Sequence, residues 1–200
     1  MIKRTSKKYI QNILVTNKSW NILDIGCGYS ANEYANIICD IQDLSHHYAD
    51  KKFIKLENKT LPFKDNEFDF VIASHVIEHV EDINYFISEL ERISKRGYIE
   101  IPTKLEDNLV FENKKDHLWH LDFDDVNLNL LISKKVQFFE PVLTVSTIQK
   151  MRKYFNSSLV IELYWEDKID YKSEKTIAEQ NDYLSLLTLF RKFISKKIKK

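Results

Sequence analysis

The chain has 200 residues, 44% of them apolar, and its 30 basic side chains are balanced by 30 acidic ones. That length and composition suit one domain with a sizeable core. The zero net charge argues against a global positive field for nucleic acid, and no stretch approaches the ~20 apolar residues that span a bilayer.

Tyr9, Ile10, Ile13 and Leu14 recur at helical spacing behind Thr5 or Ser6, which predicts a capped helix over residues 5–15. The apolar run Ile22 to Ile25 predicts a buried strand. It breaks at Gly26 and Gly28, two of only three glycines in the chain. Residues 35–41 predict a second buried strand ending in Asp40, and only about ten residues separate it from Gly28. A parallel crossover usually needs a dozen or more, so this one must be clipped. Cys27 and Cys39 sit in these apolar runs and read as reduced, buried thiols. The basic N-terminus leads into no apolar signal core, so the expectation is a soluble, cytoplasmic protein.

A third strand is predicted over residues 53–56 and a fourth over 68–73. Asp82 should cap a helix with Ile83, Phe86, Ile87, Leu90 and Ile93 on its apolar stripe, and with Glu89, Glu91 and Arg92 outside it. Gly97 should end that helix, and residues 98–101 should form a fifth strand, stopped by Pro102. The alternation predicts an α/β fold, a Rossmann-like doubly wound and mostly parallel sheet within residues 1–145. Beyond Pro102, residues 104–116 read as a loop and 117–123 and 136–139 as paired strands, an insertion after the fifth strand that faces substrate. A helix over 146–155 and a strand over 159–165 make a small α+β C-terminal addition, residues 146–200, in the same domain. The tail from Tyr183 to Lys200 sets Leu187, Phe190, Ile194 and Ile198 on one face, with six basic residues and no acidic one. Packing of that face on the domain is the preferred reading. A weak peripheral contact with an anionic membrane is the other.

Gly26-x-Gly28-x-x-Ala31 formally fits a dinucleotide fingerprint. Asp24 argues against it, because a carboxylate beside the turn repels a pyrophosphate, and the clipped crossover leaves no helix N-terminus to hold one. A carboxylate there suits a ligand with positive groups, such as a sulfonium and an amino group. Ile-Leu-Asp-Ile-Gly-Cys-Gly at 22–28, Asp40, Glu57, Leu-Pro-Phe-Lys-Asp-Asn-Glu-Phe-Asp at 61–69 and Val-Ile-Ala-Ser-His-Val-Ile-Glu-His-Val at 71–80 follow in order. Over residues 20–102 this set resembles the class I S-adenosylmethionine-dependent methyltransferases, of the small methyltransferase-11-like type.

The resemblance implies a cofactor, S-adenosylmethionine, held by Asp24, Gly26, Cys27 and Gly28, by Asp40 and Ile41, by Glu57 and Asn58, and by Ser74. His75, after the fourth strand, is the candidate general base, and His79 is read as a structural histidine. Across His117-x-x-His120-x-Asp122, strand alternation would put His120 and Asp122 on one face and turn His117 away. No metal is therefore expected, and Trp119, His120 and Asp122 are the candidates for acceptor binding. The expected acceptor is a small molecule or a sugar of a glycan, with no nucleic acid partner, and the oligomeric state is left open. The alternative function is a catalytically inactive module that keeps the fold for binding or assembly.

Overall fold

The structure is a computed structural model that describes residues 1–175 and 183–198. Seven strands form the main sheet: β1 (Ile2–Arg4), β2 (Ile22–Ile25), β3 (Ile37–Asp40), β4 (Lys52–Lys55), β5 (Phe70–Ser74), β6 (Arg96–Pro102) and β9 (Val160–Glu166), in the order β1-β9-β6-β5-β2-β3-β4. From β4 to β6 every neighbouring pair is parallel. β9 then runs antiparallel to β6, and β1 antiparallel to β9. The sheet is thus mostly parallel and Rossmann-like, with the antiparallel pair β9 and β1 completing one side and β1 as its edge strand.

Strand alternation divides the core into two faces. Leu23 and Ile25 of β2 join Val71, Ala73 and Ile99 on one face, under helix α2 (Ile83–Ile93) with Ile87 and Leu90. Ile22, Ile38, Phe70 and Ile72 face the other way, against Ile10 and Leu14 of helix α1 (Lys7–Thr16). Ser6 caps α1 through Tyr9 N, and Asp82 caps α2 through Tyr85 N. Residues 26–36, between β2 and β3, are turns without a helix, so α1 covers the face that a crossover helix would otherwise bury.

Beyond β6 the chain departs from the sequence reading. Residues 104–116 are not a loop but two short helices, α3 (Lys104–Leu109), capped by Thr103, and α4 (Asn113–Asp116). The partner of β7 (Trp119–Asp124) is β8 (Asn129–Lys134), not residues 136–139, and β10 (Tyr171–Ser173) completes a second sheet of three strands. Leu121, Phe123, Leu130 and Ile132 press that small sheet onto the α2 face of the main one. Helix α5 (Val145–Leu159) leads into β9. β1 and β10 carry too few apolar residues to signal themselves in the sequence.

Three further expectations are corrected. Gly97 does not end α2, which stops at Ser94; it lies inside β6, where a Cβ would meet the Val71 carbonyl oxygen at 2.4 Å and Trp165 Nε1 at 2.6 Å. Glu89 is buried rather than outside the stripe. It accepts from Leu61 N at 2.7 Å and from Arg92 Nε at 2.6 Å, while Arg92 donates to the Phe63 carbonyl, so the Leu61-Pro62-Phe63 segment is clipped to α2. Helix α6 (Leu186–Ile198) leaves Leu187 and Phe190 58% and 60% exposed, so its apolar face is not packed on the domain. Residues 199–200 of the tail, and the side chain of Ile198, lie outside the described residues. Among the described residues no helix is long and apolar enough to cross a membrane.

Candidate active site

The carboxyl ends of β2, β5 and β6 open into a cavity of about 700 Å³, walled by α1 on one side and by α3, α4 and α5 on the other. This is where an open α/β sheet binds ligands, because the strand order reverses between β2 and β5. Gly26 and Gly28 both take positive φ, +64° and +49°. Only glycine adopts these without strain. A Cβ on Gly26 would also run into Val76 at 2.5 Å, whereas Gly28 faces open space. The turn is pinned from three sides. Gly26 N donates to the Cys39 carbonyl at 2.8 Å, Gly28 N to Asp40 Oδ2 at 2.9 Å, and the Tyr48 hydroxyl to the Gly28 carbonyl at 2.7 Å while accepting from Ala31 N. Tyr48, invisible to motif reading, replaces the missing helix as the clamp on this loop.

Asp24 points away from the α2 face and onto the cavity wall, where its Oδ2 accepts from Asn32 N at 2.7 Å. Burial pushes its carboxyl up to about 6 despite that bond, and among the described residues no cation pairs with it. Cys27 and Ser74 share the wall, and burial pushes the Cys27 thiol up to about 12, so it stays neutral. Asp40, Ile41, Glu57 and Asn58 do not line the cavity. They lie at the ends of β3 and β4, which are joined by a bond from Leu56 N to the Asp40 carbonyl at 2.8 Å. Ile41 is 76% exposed there, and Glu57 pairs with Lys55 at 3.5 Å.

His75 follows β5 with φ +55° and stands between two carboxylates, Nδ1 at 3.2 Å from Glu78 Oε1 and Nε2 at 3.2 Å from Glu100 Oε1. Burial opposes the charged ring, but the two carboxylates prevail and raise it to about 9. Glu100, also buried, is held near 2 by His75 and by the Tyr98 hydroxyl, which donates to its Oε2 at 2.6 Å. The two carboxylates favour the imidazolium, so the residue read as a candidate general base stands here as an ion-paired ring, and its partner Glu100 was not readable from its neighbours in sequence. Tyr98 and Glu100, two apart on one strand and sharing a face, were the available signal for this cluster.

Trp119, His120 and Asp122 do not reach the cavity. Trp119 Nε1 donates to the Val80 carbonyl at 2.8 Å, and Asp122 meets Lys104 Nζ at 3.6 Å. His120 is buried, its Nε2 at 3.0 Å from Asp107 Oδ2. His117, read as turned away, lies before β7 rather than on it and does line the cavity, with Nδ1 2.6 Å from Asp107 Oδ1. Arg152 of α5 completes the far wall and pairs with Glu106 through its Nε at 2.9 Å.

Residues 23–99, from β2 into β6, match the profile of the family of methyltransferase domains. That stretch is similar to methyltransferase domains. An uncharacterized protein of Methanocaldococcus jannaschii is 29% identical over 187 residues, covering 84% of this chain and 77% of that protein. Norajmaline N-methyltransferase from Rauvolfia serpentina is 32% identical over 101 residues; the match spans 41% of this chain and only 35% of the enzyme. A solved S-adenosylmethionine-dependent methyltransferase from Aquifex aeolicus aligns with 79% of this chain and 87% of its own at 14% identity, with a TM-score of 0.44.

The cofactor of the methyltransferase domain is S-adenosylmethionine, and the residues present fit it. Asp24 is a buried anion lacking a paired cation, the group an α-amino substituent requires. Gly28 leaves open space beside it, and the Asp40 carboxylate stands at the cavity mouth.

Proposed function

We propose that the chain transfers the methyl group of S-adenosylmethionine to a small-molecule or sugar acceptor held in the cavity. The observation that carries the reading is Asp24, a buried carboxylate on the cavity wall at the glycine turn that has no ion-pair partner among the described residues. In this reading Asp24 holds the cofactor amino group, and the 26–28 turn passes beneath its methionine portion. Asp40 takes the ribose hydroxyls, and Ile41, Glu57 and Asn58 border the adenine. Ser74 faces the same space from β5.

When bound, the cofactor supplies an electrophilic methyl on a sulfonium, which leaves as a neutral thioether as the new bond forms. The chain supplies placement. Alignment of two reactants can be worth ~7–11 kcal/mol of barrier. The walls of α3, α4 and α5 leave a small-molecule volume, about 700 Å³, for the cofactor end and the acceptor together. The small-molecule acceptor named for the Rauvolfia relative agrees with this scale. The test is calorimetric titration with S-adenosylhomocysteine, then transfer of labelled methyl to a panel of small hydroxyl and amine acceptors. Absence of binding at millimolar ligand would overturn the reading.

The second reading, a module that binds but does not catalyse, is favoured by the placement of His75 between the carboxylates of Glu78 and Glu100. Tight S-adenosylhomocysteine binding with no transfer to any acceptor would support it.

A further inference from the structure

One cluster at the edge of the cavity contains two histidines that serve none of the roles above. Glu78, His79 and His117 bring one carboxylate oxygen and two imidazole nitrogens within 4.8 Å of one another. Each is prepared in the way metal ligands are. His117 Nδ1 lies 2.6 Å from Asp107 Oδ1, an ion-pair contact rather than an aligned hydrogen bond, and His79 Nδ1 bonds the Asp116 carbonyl at 2.9 Å. Both rings therefore direct Nε2 elsewhere, and they meet edge to face with centroids 4.5 Å apart. A carboxylate or carbonyl on the far nitrogen is the usual second partner of a ligating histidine, since it fixes tautomer and ring orientation. Glu78 is fully buried, and only its Oε1 is engaged, by His75. Its Oε2 has no hydrogen-bond partner. A buried carboxylate oxygen without a partner is costly and needs a cation or a donor.

We infer that Glu78, His79 and His117 bind a first-row divalent transition-metal ion, zinc by donor set, at the edge of the cavity. Two imidazole nitrogens and one carboxylate oxygen suit zinc, cobalt or manganese and do not suit magnesium, which prefers oxygen ligands throughout. Three protein ligands leave at least one coordination position open, and both His79 and His117 line the cavity. A cation there would bind an acceptor through oxygen or nitrogen and lower the pKa of a bound hydroxyl. This use in turnover rests on the methyl-transfer reading, whereas the site itself rests on the three ligands alone.

The test is titration of the untagged, metal-stripped protein with zinc by calorimetry and with cobalt by visible absorption. One saturating equivalent is expected, with cobalt d–d bands that shift when zinc displaces it. His79→Ala and Glu78→Gln should each weaken zinc binding more than about tenfold, and Asp107→Asn by about 10–100-fold as an outer partner. His79 is exposed, so its variant should keep the wild-type circular dichroism and provides the safe arm if the buried variants do not fold. No saturable binding below millimolar metal, or unchanged affinity in His79→Ala, overturns the inference. S-adenosylhomocysteine titrated into the same samples reports the cofactor site separately. Loss of one signal with the other intact assigns the failure to one reading.

Discussion

At the scale of single residues, Asp24 sets stability against binding. Its carboxyl is raised from 3.8 to about 6 by burial, so the folded chain holds the proton more tightly than the unfolded one. The stability this contributes is complete below about pH 3.8 and is lost as the pH rises through about 6. Asp24→Asn keeps an acceptor for Asn32 N and removes the buried charge. It should gain roughly 1–3 kcal/mol at pH 8, read from urea unfolding, and little at pH 4. The same substitution should weaken S-adenosylhomocysteine at least about 100-fold, since the amino group then meets no anion. For the wild type, affinity should fall about tenfold per unit as the pH drops below 6, where Asp24 takes up its proton. Affinity independent of pH between 5 and 7 would place the amino group elsewhere.

At the scale of elements, two contacts hold β5, β6 and α2 in place around the site. β6 runs against β5 and β9 with no room for a side chain at Gly97, whose added Cβ would press on the Val71 carbonyl, a backbone atom that cannot swing aside. Gly97→Ala should cost about 3 kcal/mol, the upper end of overpacking penalties, seen as a lower urea midpoint with unchanged slope. Arg92 balances the buried Glu89 and holds two carbonyls of the 61–63 segment. Arg92→Met would leave Glu89 buried and unpaired, at a cost of about 3–5 kcal/mol. Because that segment lies between Glu57 and β5, the loss should also reduce cofactor affinity.

At the scale of the whole molecule, one sheet edge gathers the chemistry and the last helix stands apart from it. Leu186, Leu187 and Phe190 of α6 are exposed, while the start of that helix is tied to residues 138–140 by Leu184 N to the Phe138 carbonyl and Leu186 N to Glu140 Oε2. Exposed apolar residues in a tail whose sequence carries six basic residues and no acidic one predict adsorption to vesicles containing anionic lipid and not to neutral ones. Co-sedimentation should show this, fall with salt, and disappear on truncation after residue 175. Retention of vesicle binding by the truncated chain would remove the tail from consideration.

The sequence by itself determined the glycine turn, the positions of the five parallel strands along the chain, the capped apolar helix at 83–93 and the clipped crossover. Each of these is a local matter of periodicity, capping and the conformational freedom of glycine. Only the tertiary structure decided that Gly97 sits inside a strand and that Glu89 is buried, since both depend on what packs against them from afar. The same holds for the site. Asp24 and Asp40 declare themselves beside the turn. The state of His75 depends on Glu100, 25 residues further on, and the pairing of His117 with Asp107 depends on α3, which reads as loop. Charge on a buried group is set by its neighbours in space, and the folding of β6, α3 and α4 over the sheet edge brings those neighbours together.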